Sequence, residues 1–62
     1  MTPRRYTRPD GVTVTLRDAL PAEGLGWVVT TTAPDGTLRY SNRQTVLARS
    51  EGVYERHCGV LR

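Results

Sequence analysis

The chain has 62 residues, of which 37% are hydrophobic, and a formal net charge of +3 at pH 7. A chain of this length can form at most one small domain, since a domain near 60 residues buries only about 60% of the surface of its unfolded chain. The single cysteine excludes an internal disulfide, and the absence of metal-ligand spacing excludes a metal site. No run of about 18 apolar residues occurs, which excludes a membrane-spanning helix.

The apolar core is expected to be thin. Phenylalanine and isoleucine do not occur, and seven valines and six leucines make up about a fifth of the chain. Domains of this size usually need a disulfide, a structural metal or a partner to be stable. We therefore expect a protein that is completed by self-association or by a partner, with a homo-oligomer as one possibility.

All nine basic residues are arginines. Arginine without lysine is typical of a GC-rich genome, and with the small size it favours a bacterium or its phage or another mobile element as the source. The basic pI of about 9.8 permits binding to phosphates or acidic surfaces. Residues 1–8 lead into no apolar signal-peptide core, so a cytoplasmic location is expected.

Two Pro-Asp-Gly triplets, at residues 9–11 and 34–36, predict two β-hairpins. Proline presets the first turn dihedral, aspartate suits the second position, and glycine accepts the left-handed conformation that closes a three-residue loop. The flanking segments predict four strands, within hairpins 4–17 and 27–41, at residues 4–8, 12–17, 27–33 and 37–41.

A three-residue loop sets the register of the first hairpin, with Tyr6 opposite Val14. One face then carries Tyr6, Val12, Val14 and Leu16, and alternation places the polar residues on the other face. The same reasoning in the second hairpin places Tyr40 on the face of Val28, Leu38, Thr30 and Thr32, opposite the face of Trp27, Val29, Thr31 and Arg39. Residues 18–26 form the loop between the hairpins.

A helix is predicted over residues 42–58. Ser41 followed by Gln44 fits a capping box, and Leu47, Tyr54, Cys58 and Leu61 recur at roughly helical spacing. Gly52 leaves an alternative open, in which the helix ends there and residues 53–57 form a fifth strand. The single helix is favoured, so the fold class is α+β, a small antiparallel sheet of two hairpins packed against one C-terminal helix.

Catalytic motifs are weak. His57 and Cys58 are adjacent, so the imidazole does not easily reach the thiol, and Asp10 and Asp35 occupy positions that turn chemistry explains. We expect a non-enzymatic protein with no cofactor and no metal.

The leading functional prediction is a nucleic-acid-binding surface on the sheet. Guanidinium groups and hydroxyls bind phosphate oxygens, and a two-stranded ribbon fits the major groove. The predicted contacts are Arg4, Arg5, Thr7, Arg8, Thr13, Thr15, Arg17 and Arg39. An ordinary solvated sheet face is the alternative, since threonine and arginine are also common on exposed strands.

A second prediction is a protein interface formed by Trp27, Tyr40 and Tyr54, because aromatic residues dominate interface energetics. The chain would then be an accessory or inhibitor protein that occludes a partner surface. A structural subunit whose core is completed by self-association is the third possibility.

Residues 26–58, in the order strand, Pro-Asp-Gly turn, strand and capped helix, resemble the small three-stranded DNA-binding N-terminal domains of tyrosine recombinases. The resemblance implies that the sheet enters the major groove, with Thr31, Arg39 and Ser41 towards the bases. It covers topology and one turn, so the chain is not assigned to that family.

Overall fold

Four antiparallel strands form one sheet in the order β1-β2-β3-β4, and a helix follows them along the chain. The computed structural model describes residues 3–59. The elements are β1 (Arg4–Thr7), β2 (Thr13–Asp18), a 3₁₀ turn (Pro21–Glu23), β3 (Trp27–Thr32), β4 (Leu38–Gln44) and α1 (Leu47–Cys58). The predicted α+β class is confirmed.

Both Pro-Asp-Gly triplets form the predicted three-residue hairpin loops. In the first loop, the Arg8 amide donates to the Val12 carbonyl at 2.8 Å, and the Asp10 carboxylate accepts from the Val12 amide at 3.1 Å. In the second loop, the Asp35 carboxylate accepts from the Thr37 amide at 2.9 Å. Each aspartate thereby closes its own turn.

The register of the first hairpin is also as predicted, with Tyr6 opposite Val14. The inward face of β2 is apolar, and Val14 and Leu16 are completely buried beneath α1. Val29 and Cys58 complete the central cluster, against which Trp27, Val53 and Tyr54 pack.

The helix presents residues at helical spacing to the sheet, and a small residue allows close approach. Ser50 is completely buried, and its hydroxyl lies 3.5 Å from the carbonyl of Trp27. Gly52 lies inside α1, which continues to Cys58, so the alternative fifth strand is not formed. Leu61, which also fitted the helical spacing, lies outside the described residues.

The predicted faces of the second hairpin are wrong for Tyr40. Leu38 lies opposite Thr32, but Tyr40 lies opposite Thr31, so Arg39 is the extra residue of a β-bulge. A bulge inserts one unpaired residue and reverses the alternation beyond it. Tyr40 consequently lies on the helix-covered face.

The predicted start of the helix is also wrong. Ser41 lies within β4 and does not cap a helix, and the Gln44 side-chain amide donates to Asn42 Oδ1 at 2.9 Å. The strand continues because β3 begins at Trp27, which pairs with Gln44. Val46, extended and without a side-chain cap, precedes α1.

Within residues 3–59, no helix is long and apolar enough to span a membrane.

Gly26→Ala should destabilise the fold more than Gly36→Ala. Both glycines have positive φ, at +113° and +92°, but only at Gly26 would a Cβ overlap backbone, namely the carbonyl of Gln44. Since overpacking costs about 1 to 3 kcal/mol beyond dihedral strain, the free energy of unfolding from urea titration should fall further by that amount. Equal losses in the two variants would contradict this packing.

Candidate nucleic-acid interface

The helix covers only one face of the sheet, and within residues 3–59 no second α-helix packs against the other, which we call the open face. Its side chains are mostly hydroxyls and guanidinium groups. They are Arg5 and Thr7 of β1, Thr13, Thr15 and Arg17 of β2, Val28, Thr30 and Thr32 of β3, and Leu38, Ser41 and Arg43 of β4.

Threonines form the centre of the open face. Thr15 lies between Arg5 on β1 and Thr30 on β3, and Thr13 lies opposite Thr32. Each hydroxyl can donate and accept a hydrogen bond. Arg5 is exposed and has no ion pair or side-chain hydrogen bond with residues 3–59. The face therefore offers one unengaged cation beside an array of hydroxyls.

Val28 is an apolar residue on the open face, yet it is only 2% exposed. Its neighbours across the strands are Arg17 and Arg43. Arginine commonly buries its methylene stem while its guanidinium reaches water. The burial of Val28 is consistent with cover by the stems of the two flanking arginines on the side that α1 does not reach.

The loop between β2 and β3 fixes both of these arginines. The Arg17 guanidinium donates two hydrogen bonds to the Glu23 carboxylate, at 2.8 and 3.0 Å. Arg43 donates to the carbonyl of Leu25 at 2.5 Å. The positions of both guanidinium groups are thus set before any ligand binds.

The Arg17–Glu23 pair has a marked electrostatic effect. The hydrogen bonds from Arg17, together with one from the Leu20 amide, lower the pKa of Glu23 to about 2. The same pairing raises the pKa of Arg17. Glu23 is therefore ionised at neutral pH and offsets the charge of Arg17, while Arg5 and Arg43 have no carboxylate partner within residues 3–59.

Three predicted nucleic-acid contacts lie away from the open face. Arg4 is on the helix side, where it pairs with Glu51 of α1 at 2.9 Å. Arg8 donates to the His57 carbonyl near the end of α1 at 3.2 Å. Arg39 is the bulged residue of β4. The remaining five, Arg5, Thr7, Thr13, Thr15 and Arg17, share the open face as predicted.

The recombinase resemblance placed three residues towards DNA bases, and the structure separates them. Thr31 lies on the helix-covered face and is 5% exposed, so it does not belong to the open face. Ser41 lies on the open face, whereas Arg39 lies in the bulge.

Sequence reasoning missed Arg43 as a candidate contact because it assigned residue 43 to the helix. It placed Thr30, Thr32 and Ser41 in the second hairpin without connecting them to the face of the first. The missing signal was length: Trp27 lies eight residues before Asp35, so its hairpin partner must lie about eight residues after it. That count extends β4 through Arg43.

The predicted aromatic interface is divided between the core and the helix side. Trp27 and Tyr54 pack against the central cluster, with their side chains partly buried. Tyr40 stacks on His57, with ring centroids 4.4 Å apart. The three rings therefore have intramolecular packing roles.

Cys58 and His57 also have structural roles. Cys58 is 7% exposed within the apolar cluster, and this burial raises the pKa of its thiol. His57 Nδ1 lies 2.9 Å from the Val53 carbonyl. No cluster of three or more potential metal ligands occurs among the described residues.

No family model matches the chain, and no curated protein and no solved structure matches it either. The chemistry of the two sheet faces is consequently the basis for assigning a function.

Glu23→Gln should remove stability that the wild type has at neutral pH and loses in acid. The folded-state pKa of about 2 lies below the usual 4.5, so the ion pair stabilises the fold above pH 4.5, and this contribution is lost as the pH falls towards 2. The amide can still accept from the Leu20 amide, so the charge is what changes. Urea midpoints of the two proteins should differ at pH 7 and converge near pH 2.

The control is a double-mutant cycle with Arg17→Gln. Because either change breaks the pair, the double variant should lose less stability than the sum of the single variants. A difference in midpoint that is constant from pH 7 to pH 2 would contradict the assignment.

Proposed function

We propose that the chain is a small non-catalytic module that binds nucleic acid by placing the open face against the sugar-phosphate backbone. The observation that supports this is the composition of the face, which combines three arginines with six hydroxyl side chains. The one carboxylate in the described strands, Asp18, lies opposite Trp27 on the other face. Guanidinium and hydroxyl groups are the side chains that bind phosphate oxygens.

The spacing of the cations supports contact across a groove. Arg5 and Arg43 lie on the outer strands β1 and β4, offset by two residues along the strands. Three strand spacings and this offset separate their Cα atoms by about 16 Å. The major groove of B-DNA is about 12 Å wide. This spacing supports the proposal that the two arginines contact phosphates on both sides of the groove, with the threonine hydroxyls between them.

Duplex rather than single-stranded nucleic acid is the proposed ligand. Proteins that bind single strands stack bases on aromatic rings, whereas the aromatic residues of the described strands, Tyr6, Trp27 and Tyr40, lie on the helix-covered face. The open face instead offers groups that bind backbone and groove edges. Arg5 and Arg43 are the arginines of the open face without a salt bridge in residues 3–59, and two phosphate contacts predict a slope of about −2 for log affinity against log salt.

Arg5→Gln should weaken duplex binding about tenfold at about 50 mM salt and reduce the magnitude of the salt slope by about 0.9, since one phosphate contact is lost. The matched control is Arg49→Gln at an exposed position of α1, which removes the same charge from a chain of net charge +3. Fluorescence anisotropy with labelled duplex DNA, single-stranded DNA and RNA at about 50 and 200 mM salt measures both quantities.

Equal losses from Arg5→Gln and Arg49→Gln would show that net charge, not the open face, determines binding. Absence of binding to all three nucleic acids at the lower salt concentration would overturn the proposal. Tighter binding to single strands would contradict the preference for duplex.

A protein-binding accessory or inhibitor is the second candidate function, and the loop at residues 19–26 favours it. Leu20 is 57% exposed and Leu25 is 84% exposed. The contacts of this loop with Arg17 and Arg43 hold both leucines in a fixed arrangement. A preorganised loop loses less conformational entropy on binding.

For this candidate, Leu25→Ser should abolish retention of a partner protein in affinity capture from bacterial lysate, whereas Arg49→Gln should preserve it. A partner retained equally by Leu25→Ser and by the wild type would exclude the loop as the binding element.

A further inference from the structure

The β-bulge at Arg39 creates a concavity that the open face does not share. Beyond the bulge Tyr40 changes face and stacks on His57 of α1, with an interplanar angle of 26°. Bulges are common beside functional sites, where they redirect side chains. The bulge therefore brings β4 into contact with the C-terminal part of the helix.

The concavity, which we call the bulge pocket, has a volume of about 260 Å³. It is lined by Arg8, Val12, Thr31, Arg39, Tyr40 and His57. No carboxylate belongs to this lining among the described residues, whereas two guanidinium groups and an imidazole do. Drug-sized ligands occupy about 300 to 1,000 Å³, so the pocket suits a smaller group.

Arg8 is held in place at the pocket. One of its guanidinium nitrogens donates to the His57 carbonyl at 3.2 Å, and another pairs with Asp10 at 2.5 Å. Asp10 is itself fixed by the Val12 amide. The Arg8 charge is therefore offset, but its orientation is set by two contacts, and its remaining N–H groups are free to donate.

Arg39 supplies the second guanidinium group, and no salt bridge within residues 3–59 engages it. Its side chain is exposed and has no salt bridge or hydrogen bond with residues 3–59. A hydrogen bond that its carboxylate accepts from the Thr37 amide lowers the pKa of Asp35 in the adjoining turn, and the charge of Arg39 helps to lower it. An unpaired guanidinium beside a second, oriented one is the arrangement that binds oxyanions.

His57 is oriented at the pocket by a contact within α1. The Val53 carbonyl can only accept, so the 2.9 Å contact places the proton on Nδ1. The contacts that hold an oxyanion in the pocket are therefore assigned to the two arginines.

We propose that the bulge pocket binds a phosphate group, held by Arg39 and the oriented Arg8 beside the Tyr40–His57 stack. The volume of about 260 Å³ admits the oxyanion. The site is separate from the open face and does not depend on the nucleic-acid function proposed above. The phosphate could belong to a small phosphorylated compound or to a nucleic-acid terminus.

The test is a titration of the ¹⁵N-labelled full chain with inorganic phosphate at pH 7, followed by NMR and compared with sodium chloride at equal ionic strength. Saturable shifts at Arg39, Tyr40 and His57 are expected with phosphate alone. Arg39→Gln should weaken this binding at least about fivefold, because a charge-assisted contact is lost. Arg49→Gln should leave it unchanged.

The proposal is overturned if phosphate and chloride give the same linear shifts, or if Arg39→Gln binds phosphate as the wild type does. Arg5→Gln should not affect phosphate binding, so failure of the open face and failure of the pocket are distinguishable. Arg39 is exposed, and an otherwise unchanged amide spectrum will show that the variant folds.

Affinities for two oligonucleotides, one with a 5′-phosphate and one with a 5′-hydroxyl end, distinguish a nucleic-acid terminus from a small phosphorylated compound as the source of the phosphate. Tighter binding of the phosphorylated end, lost in Arg39→Gln, identifies a nucleic-acid terminus as the source. Equal affinity for both ends, with binding of inorganic phosphate retained, identifies a small phosphorylated compound.

Discussion

One helix cannot cover two faces of a sheet, and this constraint organises the molecule. The 12 residues of α1 give a cylinder about 18 Å long and about 10 Å wide, enough for one face of four strands. Val14, Leu16 and Val29 are consequently buried under α1, while the residues between them along the strands must tolerate water. Threonine meets that requirement because it is polar and also favours extended backbone.

The same constraint separates two chemistries. On the open face, the exposed groups are arranged by strand register, and arginine stems replace the missing layer over Val28. On the covered face, the bulge and the end of α1 form a concave site with its own arginines. Arg39 belongs to the second group and Arg5 to the first, although both were predicted to bind one ligand. The distinction depends on a single extra residue in β4.

Local signals in the sequence predict local structure well here. The two Pro-Asp-Gly turns and the register of Tyr6 with Val14 follow from turn chemistry and alternation, and both are present. The bulge was not predictable from alternation, because residues 37–44 contain no glycine or proline to mark it. The end of β4 was missed because Ser41 and Gln44 fit a capping box as well as a strand. Pairing with Trp27, a contact distant in sequence, decides between them. The open face was therefore only half predicted, whereas the bulge pocket depends on the unpredicted bulge.

The order of elements along the chain affects how the protein is made. Each strand pairs with the next one, so the sheet can form by successive local contacts, which favours rapid folding. The helix comes after all four strands. During synthesis from the N-terminus, the apolar surface of Val14, Leu16 and Val29 emerges before the element that shields it. The apolar face of the sheet therefore depends for its cover on the last element to be synthesised.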